Sequence, residues 1–185
     1  MTPTLTTNLV DLLEPCYGPS THQQIGRYQE ALHQFRAVYG PGETQLFRAP
    51  GRVNLIGEHT DYNHGFVLPA ALDKDVVILA RPRRDHTLRA ADVEAQYAPV
   101  EFEISSDIPH AERGHWSNYL RGPAQMLARQ DHTTGMDLLL AGAPPQGVPR
   151  SVGLSSSSAV VVATAVTLAH QAGIPYNTAS FAQAC

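Results

Sequence analysis

A chain of 185 residues with 43% hydrophobic and 16% charged side chains is long and apolar enough for one domain with a real core, which excludes a disordered polymer. Its formal charge of −4 and the lack of any basic run argue against a nucleic-acid surface, and its most apolar segment, residues 159–169, is too short and too interrupted by threonine to span a bilayer. No cationic stretch precedes an apolar core at the N-terminus, and Cys16 and Cys185 form no C-x-x-C pair, so a reduced, cytoplasmic chain is expected.

In chain order, residues 1–19 carry a short apolar patch (Leu9, Val10, Leu12, Leu13) that is expected to stop at Pro15. From Ser20 the string S-T-H-Q offers a capping box. Ile25, Tyr28, Leu32, Phe35 and Val38/Tyr39 then recur at helical spacing until Gly40-Pro41 ends the helix. His22 and His33 stand at no ligand spacing and read as surface residues. Residues 44–48 read as a strand, followed by a Pro50-Gly51 turn and a second short strand at Val53-Asn54-Leu55 that breaks at Gly57.

The β-branched run 75–80 predicts a buried strand, and residues 86–91 and 99–104 two more, the last alternating at Val100, Phe102 and Ile104. Arg81, Arg83 and Arg84 beside Asp85 suit either an anion site or an exposed turn. His110 and His115 fall in a polar loop, at no metal spacing. Residues 116–130 predict a helix with Tyr119, Leu120 and Met126/Leu127 on one face and a kink or restart at Gly122-Pro123. Residues 136–141 read as a strand, 142–149 as a turn, and 177–185 as the opening of another helix.

Two stretches carry chemistry. The first, R-A-P-G-R-V-N-L-I-G-E-H-T-D-Y-N-H-G-F-V-L-P (48–69), crowds Glu58, His59, Thr60 and Asp61 between apolar runs. Carboxylates accept from vicinal hydroxyls and imidazole can donate or accept, so the cluster is matched to a hydroxyl-rich ligand. A solvated turn or a metal site would use the same residues. Arg52, one strand-length upstream, offers a planar cationic fork suited to phosphate. The second stretch, S-V-G-L-S-S-S-S-A-V-V-V-A-T-A (151–165), leads small residues into an apolar helix that continues to about Ala172 and closes at Gly173, with Pro175 beyond. Small side chains admit a ligand close to the backbone, and the N–H groups of the helix start favour phosphate. A flexible linker or a multiply capped helix start would look similar. No Walker loop is present.

Read together, the two stretches resemble the galactokinases of the galactose, homoserine, mevalonate and phosphomevalonate kinase superfamily. The first matches from Ala49 to Pro69, departing at His64 where the family has a small or polar residue. The second matches P-x-G-x-G-L-S-S-S-A from Pro149, departing at Ser151 (family Gly), Val152 and Ser158 (family Ala). W-S-N-Y-L-R-G resembles the family's W-x-N-Y-x-x-G segment, which sets Trp116 near the nucleotide base; a lone tryptophan would otherwise read as core.

The resemblance implies an α+β, two-layer domain of the ribosomal-S5-domain-2-like type, with a mixed, mostly antiparallel sheet and helices on one face. Over residues 1–185 it implies an N-terminal kinase domain: a helical segment (1–43), a sugar-binding signature (44–69), and a phosphate loop with its helix (148–172). It implies ATP-dependent phosphorylation of galactose at C1, with Arg52 stabilising the transferred group. Glu58, His59, Thr60 and Asp61 would hold sugar hydroxyls. Ser151, Val152, Gly153, Leu154, Ser155, Ser156, Ser157 and Trp116 would hold ATP, with Ser157 on Mg2+. The full-length form is expected to be a monomer with galactose and ATP as partners, and no nucleic acid or membrane. The family's catalytic Asp, its acidic magnesium ligand and its third glycine-rich motif would lie beyond residue 185. Residues 1–185 alone are therefore expected to be inactive and to expose apolar faces at 138–140 and 160–162. The alternatives are a sugar- and ATP-binding sensor of the same family and an N-acetylgalactosamine kinase.

Overall fold

The computed structural model describes residues 9–57, 63–150 and 152–174. It divides into two compact units, Met1–Gly42 and Glu43–Cys185.

In the first unit, α1 (Leu9–Tyr17) passes through a 3-10 turn (Gly18–Ser20) into α2 (Thr21–Tyr39). Pro15 does not stop α1. Leu9, Leu13 and Tyr17 recur one turn apart and are buried, and the helix keeps its path so that all three stay inside. The capping box does not form either. Ser20 stands at the cap position with helical backbone angles and no side-chain cap bond, because the preceding turn already delivers the chain in helical form. Thr21 Oγ1 instead donates to the Gly18 carbonyl at 2.6 Å. The buried face of α2 is Thr21, Gln24, Tyr28, Ala31 and Phe35, one step round from the expected stripe, and Val38 is exposed. The Tyr17 and Tyr28 hydroxyls meet at 2.8 Å, and Gly40, with φ of 81°, ends the helix as expected.

The second unit is a five-stranded sheet with two helices. The strands are β1 (Gln45–Ile56), β2 (Leu68–Pro82), β3 (Thr87–Asp92), β4 (Val100–Glu103) and β5 (Met136–Ala141), in the order β1-β2-β5-β3-β4. All neighbours are antiparallel except β3 and β5, so the sheet is mixed and mostly antiparallel. β1 is one continuous strand where two strands and a turn were expected. Pro50 and Gly51 form an irregularity, a register shift between Pro50 and Arg52 against β2. An edge strand tolerates a proline, which cannot donate to a ladder, and the extra residues of the bulge lie in β2, where 72–74 stand opposite Gly51. The run 75–80 is the inner part of β2, whose outer part, 68–74, extends beside β1.

β5 lies in the middle of the sheet and all six of its residues are buried. Leu138, Leu139 and Leu140 are therefore not an exposed face; neighbouring strands flank them on both sides and the helices cover one face. Val162 is exposed. α3 (Asn118–Ala128) and α4 (Ser156–Gln171) pack on each other, and α4 packs on β1 and β2. One core joins Ile78, Leu88, Leu138 and Leu140 of the sheet to Leu120, Ala124 and Leu127 of α3 and Ala163 and Leu168 of α4. Pro123 does not restart α3, which runs through it as one helix. It leaves the carbonyl one turn back without its helical partner, but the proline ring is itself buried in the core.

Candidate functional site

The site lies where β1 meets the start of α4. A Cβ on Gly51 would stand 2.8 Å from Val148 Cγ1 and 3.0 Å from the Leu154 carbonyl oxygen, so only glycine lets β1 come this close to the loop. The backbone N–H of Arg52 donates to that same carbonyl at 3.2 Å. The Arg52 guanidinium then donates from Nη2 to Ser155 Oγ at 2.7 Å, joining residues 103 positions apart. The two sequence stretches are thus one structure.

Ser155 sits in the left-handed region (φ 58°, ψ 38°) at the N-cap of α4 and makes no side-chain cap bond. A non-glycine residue held there costs about 1–2 kcal/mol, and the bond from Arg52 helps to offset it. The outcome is that the serine hydroxyl faces Arg52 and not the amides of the helix. The first N–H groups of α4 remain uncapped by that side chain, with the positive end of the helix dipole behind them. Gly153, with φ of 75° and open space where a Cβ would go, completes a loop that a phosphate can approach closely.

Beside this loop is a cavity of about 410 Å³. Ser156 and Ser157 line it from α4, Trp116 and Tyr119 from the start of α3, and Asp92, Tyr97 and Arg150 from the rim. The Trp116 ring lies 6.3 Å from Tyr97, edge to face, and stacks on His115 at the same distance. Its indole N–H is buried without a protein acceptor. Trp116 is therefore a cavity wall and only partly core. The Arg150 guanidinium pairs with Glu94 Oε2, stands 3.8 Å from Asp92 Oδ2, and lies 4.5 Å over the Tyr97 ring. Burial raises the Asp92 carboxyl to about 6, against the opposing pull of the Glu94 amide and of Arg150.

Among the expected site residues, Arg52, Gly153, Leu154, Ser155, Ser156, Ser157 and Trp116 come together here. Val152 is exposed on the loop. Glu58, His59, Thr60, Asp61 and Ser151 lie outside the described residues, as does the helix expected over 177–185. His64 takes φ of 58°, the left-handed conformation for which a glycine is the easier residue. Of the arginine cluster, Arg83 pairs with Asp85 and Asp137, holding Asp85 near 2, and Arg81 Nε donates to the Glu43 carbonyl at 3.2 Å. Arg89 of β3 also reaches Asp137. Among the described residues, no group of three or more His, Cys, Asp or Glu is placed to hold a metal. A magnesium ion accompanying a nucleotide would find the Ser157 hydroxyl on the cavity wall.

Sequence reasoning missed Gly51, Gly147, Asp92 and Arg150. A Cβ on Gly147 would stand 1.9 Å from the Gly142 carbonyl oxygen, so glycine is obligatory there.

The chain is similar to known proteins in two segments of its sequence and in its fold. Residues 33–82 match the family model described as the galactokinase galactose-binding signature, and residues 118–185 the GHMP kinases N terminal domain. The fold is similar to that of Lactococcus lactis galactokinase complexed with galactose, at 31% identity and a TM-score of 0.75, over 85% of this chain and 40% of that one. Methanococcus jannaschii mevalonate kinase shares the fold at 16% identity (TM-score 0.63, 77% of this chain, 45% of that one). So does Streptococcus pneumoniae phosphomevalonate kinase, solved with phosphomevalonate and AMPPNP, at 14% identity (TM-score 0.55, 76% and 40%). The chain spans less than half the length of each of these relatives. In its α+β sheet and in the two matched segments, the chain is similar to the N-terminal domain of the GHMP kinases. Among them it is similar to the N-terminal part of a galactokinase. Among the described residues no helix is long and apolar enough to cross a membrane.

Proposed function

We propose that this chain supplies the sugar- and ATP-binding part of a galactokinase that works in the cytoplasm as a monomer. The hydrogen bond from Arg52 to Ser155 carries the reading, because it holds a cation of the sugar signature against the phosphate loop. The adenine would occupy the cavity beside Trp116, the triphosphate would meet the amides of 153–157, and galactose would bind Glu58, His59, Thr60 and Asp61. The C1 hydroxyl oxygen would bond to the γ-phosphorus as the bridging P–O bond to ADP breaks, and a base would take the hydroxyl proton. Magnesium bound with ATP would neutralise charge on the transferring group, with the Ser157 hydroxyl as a ligand. Arg52 would face the equatorial oxygens, where positioned cations contribute most to phosphoryl transfer.

The experiment is titration calorimetry of the chain with MgATP and with galactose, on the wild type and on Asp61→Ala. Both ligands are expected to bind. The variant should weaken galactose by one to two orders of magnitude, since a charged hydrogen bond is worth ~1.5–3 kcal/mol, and leave MgATP within about threefold. Galactose affinity unchanged by Asp61→Ala would overturn the sugar assignment, and an absence of MgATP binding would overturn the nucleotide assignment.

A further inference from the structure

The phosphate loop departs from the family pattern at its first glycine. In P-x-G-x-G-L-S-S-S-A that glycine falls at Ser151, so Gly153 is the one pattern glycine this loop keeps. Gly147 is fixed by its packing against Gly142 and Val148 is buried, so the chain entering the loop is anchored. Val152 and Gly153 are exposed. Between them, Arg150 reaches across the cavity rim to the connection between β3 and β4.

That connection is a firm support. The Val93 N–H donates to the Leu140 carbonyl at 2.9 Å, the Glu94 N–H to Asp92 Oδ1 at 2.8 Å, and the Tyr97 N–H to the Glu94 carbonyl at 3.0 Å. Arg150 engages three of its side chains at once: Glu94, Asp92 and the face of Tyr97. The Asp92 side chain is only 7% exposed and Glu94 24%, so these contacts are largely removed from solvent screening. A planar guanidinium can serve two carboxylates and a ring together, which an ammonium cannot.

We propose that Arg150 is a positioning residue: it clamps the entry to the loop to the end of β3 and the β3–β4 connection, and so fixes where residues 153–157 meet the phosphates. This rests on the cavity being the nucleotide site. The clamp reduces the freedom of a loop that keeps a single pattern glycine, so a phosphate finds its amides already in place. Burial raises Asp92 toward 6, yet at neutral pH it is charged and attracts Arg150. The other groups facing Arg150 are Glu94 and the Tyr97 ring.

Trp116 is the sole tryptophan and lines the cavity, so its fluorescence reports occupancy directly. The test is titration of the chain and of Arg150→Ala, Arg150→Lys, Glu94→Gln and the Glu94→Gln/Arg150→Ala double variant, each with MgATP and with adenosine. Arg150→Ala should weaken MgATP tenfold or more and leave adenosine within about twofold. Arg150→Lys should fall between, and the double variant should be no weaker than Arg150→Ala alone. Equal weakening of MgATP and adenosine would overturn the proposal, because Arg150 would then be wall of the base pocket. Unchanged affinity for both would also overturn it. If Arg150→Ala does not fold, Arg150→Lys and Glu94→Gln carry the same comparison. If the wild type binds no MgATP, the nucleotide reading fails and acrylamide quenching of Trp116 in the ligand-free chain decides the clamp. Quenching that rises in Glu94→Gln and Arg150→Ala supports a clamp over the cavity; quenching that stays the same overturns it.

Discussion

Arg52 makes two bonds to the loop that begins α4, one from its backbone N–H and one from Nη2. Only the second depends on the side chain, which makes Arg52→Lys an informative change. Lysine keeps the charge and loses the fork. In the enzyme proposed above, kcat is expected to fall tenfold or more while both dissociation constants stay within about threefold; survival of kcat would make Arg52 a structural tie. Asp92 gives a prediction in pH. Its carboxyl is raised from an ordinary 3.8 to about 6 by burial, so between those values the folded chain holds a proton that the unfolded chain releases. Stability contributed by Asp92 is thus full below about pH 4, falls as pH rises, and levels off above about 6, a loss of roughly 3 kcal/mol. Urea midpoints of the wild type relative to Asp92→Asn should trace that decline. Other groups cancel in the difference; Asp85, held near 2 by Arg83, acts with the opposite sign and at lower pH.

At the level of elements, proline and glycine misled in a consistent way. Pro50-Gly51, Pro15 and Gly122-Pro123 look like punctuation in the sequence, yet each lies inside a continuous element. The reason differs each time: an edge strand with a bulge, a short helix held by three buried side chains, and a proline ring packed in the core. All three depend on tertiary surroundings that local rules do not contain. By contrast β5, the alternation of β4 and the end of α4 at Gly173 were legible, because pattern and cap are local. Gly51→Ala tests the close approach of β1 to the loop. Its methyl group would press on Val148 and the Leu154 carbonyl, so the Arg52 N–H···O bond should lengthen and, under the function proposed above, MgATP should bind about tenfold more weakly, with a far-UV spectrum unchanged. Wild-type affinity in that variant would mean the loop does not depend on that approach.

For the whole molecule, stability rests on the middle of the sheet. Leu138 is fully buried between β2 and β3 and under the helices, so Leu138→Ala should cost ~2–5 kcal/mol in chemical unfolding, with little change in the denaturant slope. A cost below about 1 kcal/mol would mean the core collapses readily around the gap. The candidate site was legible in its two halves because each is a contiguous string. Its assembly was not legible, since Arg52 and Ser155, or Arg150 and Glu94, are joined only by the topology of the sheet. The seating of Gly51 against Leu154 has a thermodynamic consequence. The strand that leads to residues 58–61 and the loop that begins α4 cannot shift independently, so under the function proposed above a sugar that settles one also biases the other. Any cooperativity must then be reciprocal: the factor by which galactose tightens ADP has to equal the factor by which ADP tightens galactose. Paired titrations closing that cycle should give one factor above unity in the wild type, and a factor near unity once Gly51→Ala has separated strand from loop.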